Sequence, residues 1–202
     1  MAHRRSIWLT ACLGLAVFMC AIPAAYAAPS QCDLVAGNLV TNCGFETGNF
    51  AAWTQSGNLG FTFVSSGYAH SGTYGAQLGP VGSDGFISQQ ILPTIPGATY
   101  DLSYWLQSDG FTPNHFDVSW DGITIRNDSN LGAFPYTQTT NLGLVATTAS
   151  TTLRFSFRDD PGFLGLDDIS VVQHVPEPTT FALFAPLALG LGLFYRRRSQ
   201  RV

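Results

Sequence analysis

The chain has 202 residues and a formal net charge of −4, with nine arginines, no lysine and thirteen carboxylates. Six of the arginines lie in the first five and last seven residues. Between Ala28 and Val175 only Arg126, Arg154 and Arg158 face twelve carboxylates, a balance of −9. A surface of that sign repels phosphate, which excludes nucleic acid as a partner; it suits neutral partners and hard cations.

In chain order, Arg4-Arg5 is a basic start, Ile7 to Ile22 an apolar run and Ala25-Tyr26-Ala27 a small-x-small site. These are the three parts of a secretory signal peptide over residues 1–27, with signal peptidase as the processing partner and Ala28 as the first mature residue. Cys12 and Cys20 leave with that segment. The remaining pair, Cys32 and Cys43, then sits in an oxidising compartment, where a disulfide is expected.

Residues 28–174 have the length of one domain and read as strands. Leu102, Tyr104 and Leu106 alternate with Ser103, Trp105 and Gln107, and Leu153, Phe155 and Phe157 with Arg154, Ser156 and Arg158. Period two is the signature of strands with one buried face. Phe116, Val118 and Trp120 run into Asp121-Gly122, with Ile123 and Ile125 beyond, a hairpin signal because both turn positions need positive φ. Further strands are predicted over 39–41, 61–64, 74–78, 86–91, 142–146 and 166–172. About nine short, non-repeating strands predict an all-β, antiparallel jelly-roll sandwich. Trp53 and Trp120 are expected in its core.

Val175 to Thr180 is a linker holding Pro176-Glu177-Pro178, where two prolines keep the segment extended. Phe181 to Tyr195 carries no charge and stands at the lower edge of membrane-spanning length. Arg196-Arg197-Arg198 opens the basic tail, residues 196–202, and positive charge beside a spanning segment stays on the cytoplasmic side. In this order the three parts resemble the PEP-CTERM sorting signal of Gram-negative bacteria that make extracellular polysaccharide. The resemblance implies that a membrane-bound exosortase recognises Pro-Glu-Pro. It further implies passage through the inner membrane, processing, and delivery to the cell envelope, outer surface or extracellular matrix.

A second resemblance lies in the domain. Asn38 to Gly48 (Asn-Leu-Val-Thr-Asn-Cys-Gly-Phe-Glu-Thr-Gly) followed by Trp53 is similar to the opening of galactose-binding-like jelly rolls, which include many carbohydrate-binding modules. His70-Ser71-Gly72 before Tyr74 to Leu78 resembles the turn and second strand of that fold. Leu166-Asp167-Asp168-Ile169-Ser170-Val171 resembles its last strand. What this implies is a structural calcium joining the first and last strands, held by Glu46 and by Asp167 or Asp168, with a carbonyl near Ser71. Alternation does not choose between the two aspartates, because a bulge would swap their faces.

A sugar ring is recognised by an aromatic platform with amide and carboxylate groups beside it. Trp105 and Gln107 share the strand face opposite Leu102, Tyr104 and Leu106, so they are expected on the outside. Phe111, Asn114, His115 and Tyr136, in loops or at strand ends, are expected to join them in a polysaccharide site. No Gly-x-Ser-x-Gly elbow or His-Glu-x-x-His pair is present, and no carboxylate pair sits in a telling motif. The domain is therefore expected to be non-enzymatic.

Overall fold

The computed structural model describes residues 28–175, so the expected signal segment 1–27 and the sorting and tail residues 176–202 lie outside the described residues. Ten strands occur in chain order: β1 Thr54–Gly57, β2 Phe63–Ser65, β3 Gly75–Leu78, β4 Gly85–Ile91, β5 Thr99–Ser108, β6 Asn114–Trp120, β7 Ile123–Ser129, β8 Phe134–Val145, β9 Thr151–Asp159 and β10 Leu164–Gln173. They form two antiparallel five-stranded sheets. One has the order β1-β4-β9-β6-β7 and is called sheet A below; the other, sheet B, has the order β2-β3-β10-β5-β8. This is the all-β sandwich that the alternating runs predict.

The inward residues of the two sheets meet in an aromatic core. Phe155 on β9 lies 5.4 Å, centroid to centroid, from Tyr104 on β5, 5.9 Å from Phe116 on β6 and 6.1 Å from Trp53. Trp53 and Trp120 are both buried, as expected, and each indole N–H has a carbonyl acceptor, Asn42 for Trp53 and Val145 for Trp120. Buried indoles need that partner, since an unpaired donor would cost about 1–3 kcal/mol. At the β6–β7 hairpin Asp121 (φ 51°) and Gly122 (φ 80°) both take positive φ. The Asp-Gly pair thus makes the turn its sequence signals.

Two differences from the sequence expectation concern the beginning of the domain. Residues 39–41 are not a strand. Single contacts tie that segment to β10 instead: Leu39 N–H donates to Val171 O (2.9 Å), Ile169 N–H to Cys43 O (3.0 Å) and Val171 N–H to the Asn38 amide oxygen (3.0 Å). With a turn over 41–44 the chain cannot keep the regular ladder register. Strand β1, in contrast, has no apolar alternation. Its residues Thr54-Gln55-Ser56-Gly57 are exposed along an edge and held by the register to β4.

Cys32 and Cys43 are joined, and both are buried against the core. The bond ties the short 3-10 turn Gln31–Leu34 to the opening segment. Closing so short a loop removes unfolded-state entropy worth about 2–3 kcal/mol. Replacing both cysteines by serine is expected to lower the unfolding free energy by that amount, measured by urea denaturation; an unchanged midpoint would show that the link is structurally idle.

Candidate functional site

The outer face of sheet A carries a groove of about 400 Å³, and strand register builds its floor. One row across four strands reads Phe86, Ser156, Asp117, Asn127, and the next reads Ser88, Arg154, Ser119, Thr124. These residues alternate with the buried Ile87, Phe155, Phe157, Val118 and Phe116. The same period that fills the core therefore aligns the polar residues outside. With strands about 4.8 Å apart, four of them give a floor roughly 14 Å wide.

In the floor the Arg154 guanidinium carbon stands 3.8 Å from the Phe86 ring centroid, a cation–π contact that flattens an otherwise flexible side chain. Among the described residues Arg126 is bridged to Asp128 and Arg158 to Asp160, which leaves Arg154 as the arginine without a carboxylate. Beside this pair the His115 ring lies between two acids, Nε2 3.0 Å from Asp117 and Nδ1 3.5 Å from Asp84. Burial pushes the Asp117 carboxyl up, against the opposing pull of His115. Asp117 Oδ1 has no hydrogen-bond partner among the described residues. The groove thus offers a flat cationic–aromatic surface and several hydroxyls, with Asp117 in its lining. That is the equipment for stacking on a ring and bonding its hydroxyls.

The six residues that the sequence suggests for a sugar site do not assemble. Trp105, Gln107 and Tyr136 lie on the other outer face, that of sheet B, on β5 and β8. There the His70 ring stacks on Trp105 at 3.8 Å with 17° between the planes, and Tyr136 meets His70 edge-on at 5.2 Å. The Trp105 face expected to receive a sugar is filled by the protein's own imidazole. The Tyr136 hydroxyl donates to Tyr68 O. Asn114 is buried and structural, its amide donating to Phe111 O (2.7 Å) and Leu131 O (2.8 Å). Phe111 is exposed on a loop. His115 alone of the six touches a groove residue, Asp117. Phe86 and Arg154, which sequence reasoning missed, had a usable signal in their strand parity, but parity does not say which of two outer faces is concave.

The calcium residues cluster more closely. β10 is bulged between Asp167 and Ser170, Asp168 takes φ 49°, and both aspartates are buried. Asp167 Oδ2 accepts the N–H groups of His70 (2.7 Å) and Ser71 (3.2 Å), and its Oδ1 accepts Asp168 N–H (2.8 Å). Asp168 accepts Cys32 N–H (3.1 Å) at one oxygen; at the other it meets the Ser71 hydroxyl (2.6 Å) and His70 Nδ1 (2.7 Å). Glu46 Oε1 accepts the N–H groups of Thr73 (3.0 Å) and Tyr74 (3.1 Å) and Oε2 that of Thr73 (3.0 Å). Gly72, at φ +66°, passes so close over this carboxylate that a Cβ would collide with it.

A cation needs lone pairs that these N–H groups have not taken. Glu46 Oε2, Asp167 Oδ1 and Asp168 Oδ1 each accept one bond and keep one lone pair. The donor set fits a calcium ion through Glu46 and either aspartate, with backbone or water oxygens completing it. Among the described residues, Cys32, Asp33 and Cys43 form the one trio of side chains close enough to share an ion. Two of its three ligand atoms are consumed by the disulfide.

With this geometry in place the comparisons with known proteins can be read. Residues 37–164 match the family model described as a carbohydrate binding domain. The chain belongs to that family. No curated protein matches its sequence. Among solved structures the carbohydrate-binding domain is similar to TmCBM61, determined with β-1,4-galactotriose, at 20% identity and a TM-score of 0.55, covering 68% of this chain and 99% of that one. It is also similar to the CBM22-1–GH10 modules of Clostridium thermocellum xylanase 10B, determined with xylohexaose, at 18% identity and a TM-score of 0.51, covering 69% and 29%. The K3 adhesin domain of Lys-gingipain from Porphyromonas gingivalis W83 gives 16% identity and a TM-score of 0.51, covering 66% and 98%. At such identities the structural likeness establishes the carbohydrate-binding domain's sandwich fold.

Burial, and next the neighbouring Asp168, push the Asp167 carboxyl up from 3.8 to about 8, against the N–H bonds that favour its charge. A folded-state value above the unfolded one means that the native carbohydrate-binding domain holds the extra proton. In chelator, stability is therefore expected to fall as pH rises from about 4 to about 8 and to level off above that. Asp167→Asn should shrink the slope, read from thermal midpoints across the range. A midpoint that rises with pH over this window would contradict the assignment.

Proposed function

We propose that this is an exported, non-enzymatic protein that binds polysaccharide through the groove on the outer face of sheet A. The observation that carries the reading is the register-aligned floor, in which Phe86 and Arg154 form a flat patch among Ser88, Ser119, Thr124 and Asp117. Membership of the carbohydrate binding domain family supports the ligand class. The Pro176-Glu177-Pro178 segment, the apolar run 181–195 and Arg196 to Arg198 support sorting by an exosortase after the inner membrane. On this reading the processed chain ends in the envelope or extracellular matrix, and the ligand is the producer's own exopolysaccharide.

Affinity electrophoresis in gels containing that polysaccharide tests the site. Phe86→Ala and Arg154→Ala are each expected to weaken binding about tenfold or more, the scale of one lost stacking or charged contact. Trp105→Ala, whose ring is covered by His70, should change it less than twofold. Loss on Trp105→Ala with the groove variants unaffected would move the site to the other sheet. Retardation by no polysaccharide, with self-association instead, would favour a purely structural matrix role.

We further propose that calcium is a structural ion held by Glu46 and by Asp167 or Asp168. Two neighbouring buried carboxylates, Asp167 and Asp168, support this, because an ion would relieve both their repulsion and the desolvation of Asp167. Calcium at a hundred times its dissociation constant should stabilise the fold by about 2.7 kcal/mol. Chelator is expected to lower the melting temperature accordingly, and Glu46→Gln to abolish the difference. A melt indifferent to chelator would sink the proposal.

A further inference from the structure

A second group of oxygens lies at the end of the sandwich where β9 leaves sheet A. Asp159 follows Leu153, Phe155 and Phe157 on the inward face, so its carboxylate points between the sheets. It is completely buried, and neither oxygen has a partner at hydrogen-bond geometry among the described residues; the Gly162 N–H favours its charge from farther off. Every other buried carboxylate in the domain has donors; Asp167 and Asp168 accept three contacts each. Leaving Asp159 bare is the costlier arrangement, since a buried anion needs a counter-charge or a donor.

Its surroundings are again oxygen-rich. Asp109 is close enough to act on Asp159 electrostatically, and both act on Tyr68. Asp109 is held in place: its Oδ1 accepts Phe111 N–H (3.1 Å), its Oδ2 accepts Phe163 N–H (2.6 Å), and Gly162 passes directly against it. Each Asp109 oxygen keeps a lone pair. Asp160, the next acid along, is turned away to Arg158 and Gly82 N–H. Among the described residues no arginine is bridged to Asp159 or Asp109, and no histidine or cysteine groups with them as a soft ligand.

We propose that Asp159 and Asp109 hold a hard divalent cation at this end of the sandwich, with calcium as the ion to test. The donors are all oxygen, which selects calcium or magnesium over zinc or copper. The site shares no residue with Glu46 and Asp167. An ion there would clamp the 109–113 and 160–163 loops that close this end. It would also supply the charge that a fully buried carboxylate lacks.

Isothermal titration of the purified full-length chain with calcium chloride tests the site through the number of ions bound. Asp109→Asn and Asp159→Asn are each expected to reduce that number by one, or to weaken one binding step at least tenfold. The count falls by one whether or not the Glu46 site also binds, so the two proposals fail separately. Asp109 is solvent-exposed, so its variant keeps the fold, verified by near-ultraviolet circular dichroism. An Asp109→Asn chain that is folded and binds as many ions as the parent, equally tightly, would overturn the proposal.

Discussion

Asp167 and Asp168 stand side by side, buried, in the middle strand of sheet B, and the surrounding structure is organised to meet their charge. β10 bulges at this point, which turns both carboxylates off the ladder and toward the beginning of the domain. Asp168 receives Cys32 N–H from the opening segment, while Asp167 receives the N–H groups of His70 and Ser71 from the turn before β3. Two parts of the chain, 136 and 97 residues before the aspartates they contact, are thereby fixed to one point of β10. The energetic reason is asymmetry: a buried carboxylate with donors is tolerable, and one without them costs several kcal/mol. The disulfide and the Asn38 bonds to β10 then hold the opening segment across the same strand.

That junction also decides which outer face is available. His70 must approach Asp168 to share its hydrogen bond, and the same approach lays its ring on Trp105. Sheet B thus has its most conspicuous aromatic covered by a structural contact. Among the described residues the rows of Phe86 and Arg154 on sheet A line an open groove. A groove built from strand rows is stiff, because its spacing is set by backbone hydrogen bonds rather than by loop conformation. Little ordering entropy would oppose a ligand there.

The strands were legible wherever one face is buried. Period two at 102–107 and 153–158 marks strands whose alternate residues are core, and the Asp-Gly turn is fixed by backbone sterics alone. Strand β1 was not legible, because an exposed edge segment such as Thr54–Gly57 is shaped by its partner rather than by its own pattern. Nor was the irregular run at 39–41, where side-chain and single backbone bonds replace a ladder. The site was legible only in part for a different reason. Parity separates inside from outside within a sheet, but the two outer faces have the same parity signature. Trp105 and His115 both read as outward, and only the topology places them on opposite sides of the sandwich.

Charge connects these observations. Of the three cations in a domain of net −9, Arg126 and Arg158 are each spent on a carboxylate two residues away, and Arg154 is held over Phe86. None reaches the buried acids. His70 meets Asp168 on one side only, and Asp167 depends on backbone dipoles, which lower the cost of its charge without cancelling it. Asp159 has no partner at hydrogen-bond distance, and burial pushes its carboxyl up to about 7 in spite of the Gly162 N–H. A sandwich that buries carboxylates between its sheets while keeping its one free arginine in the groove must take neutralising charge from solvent, as protons or as cations. In such a domain the groove and the Asp167–Asp168 junction are separable: the groove lies on sheet A, whereas the junction lies in sheet B.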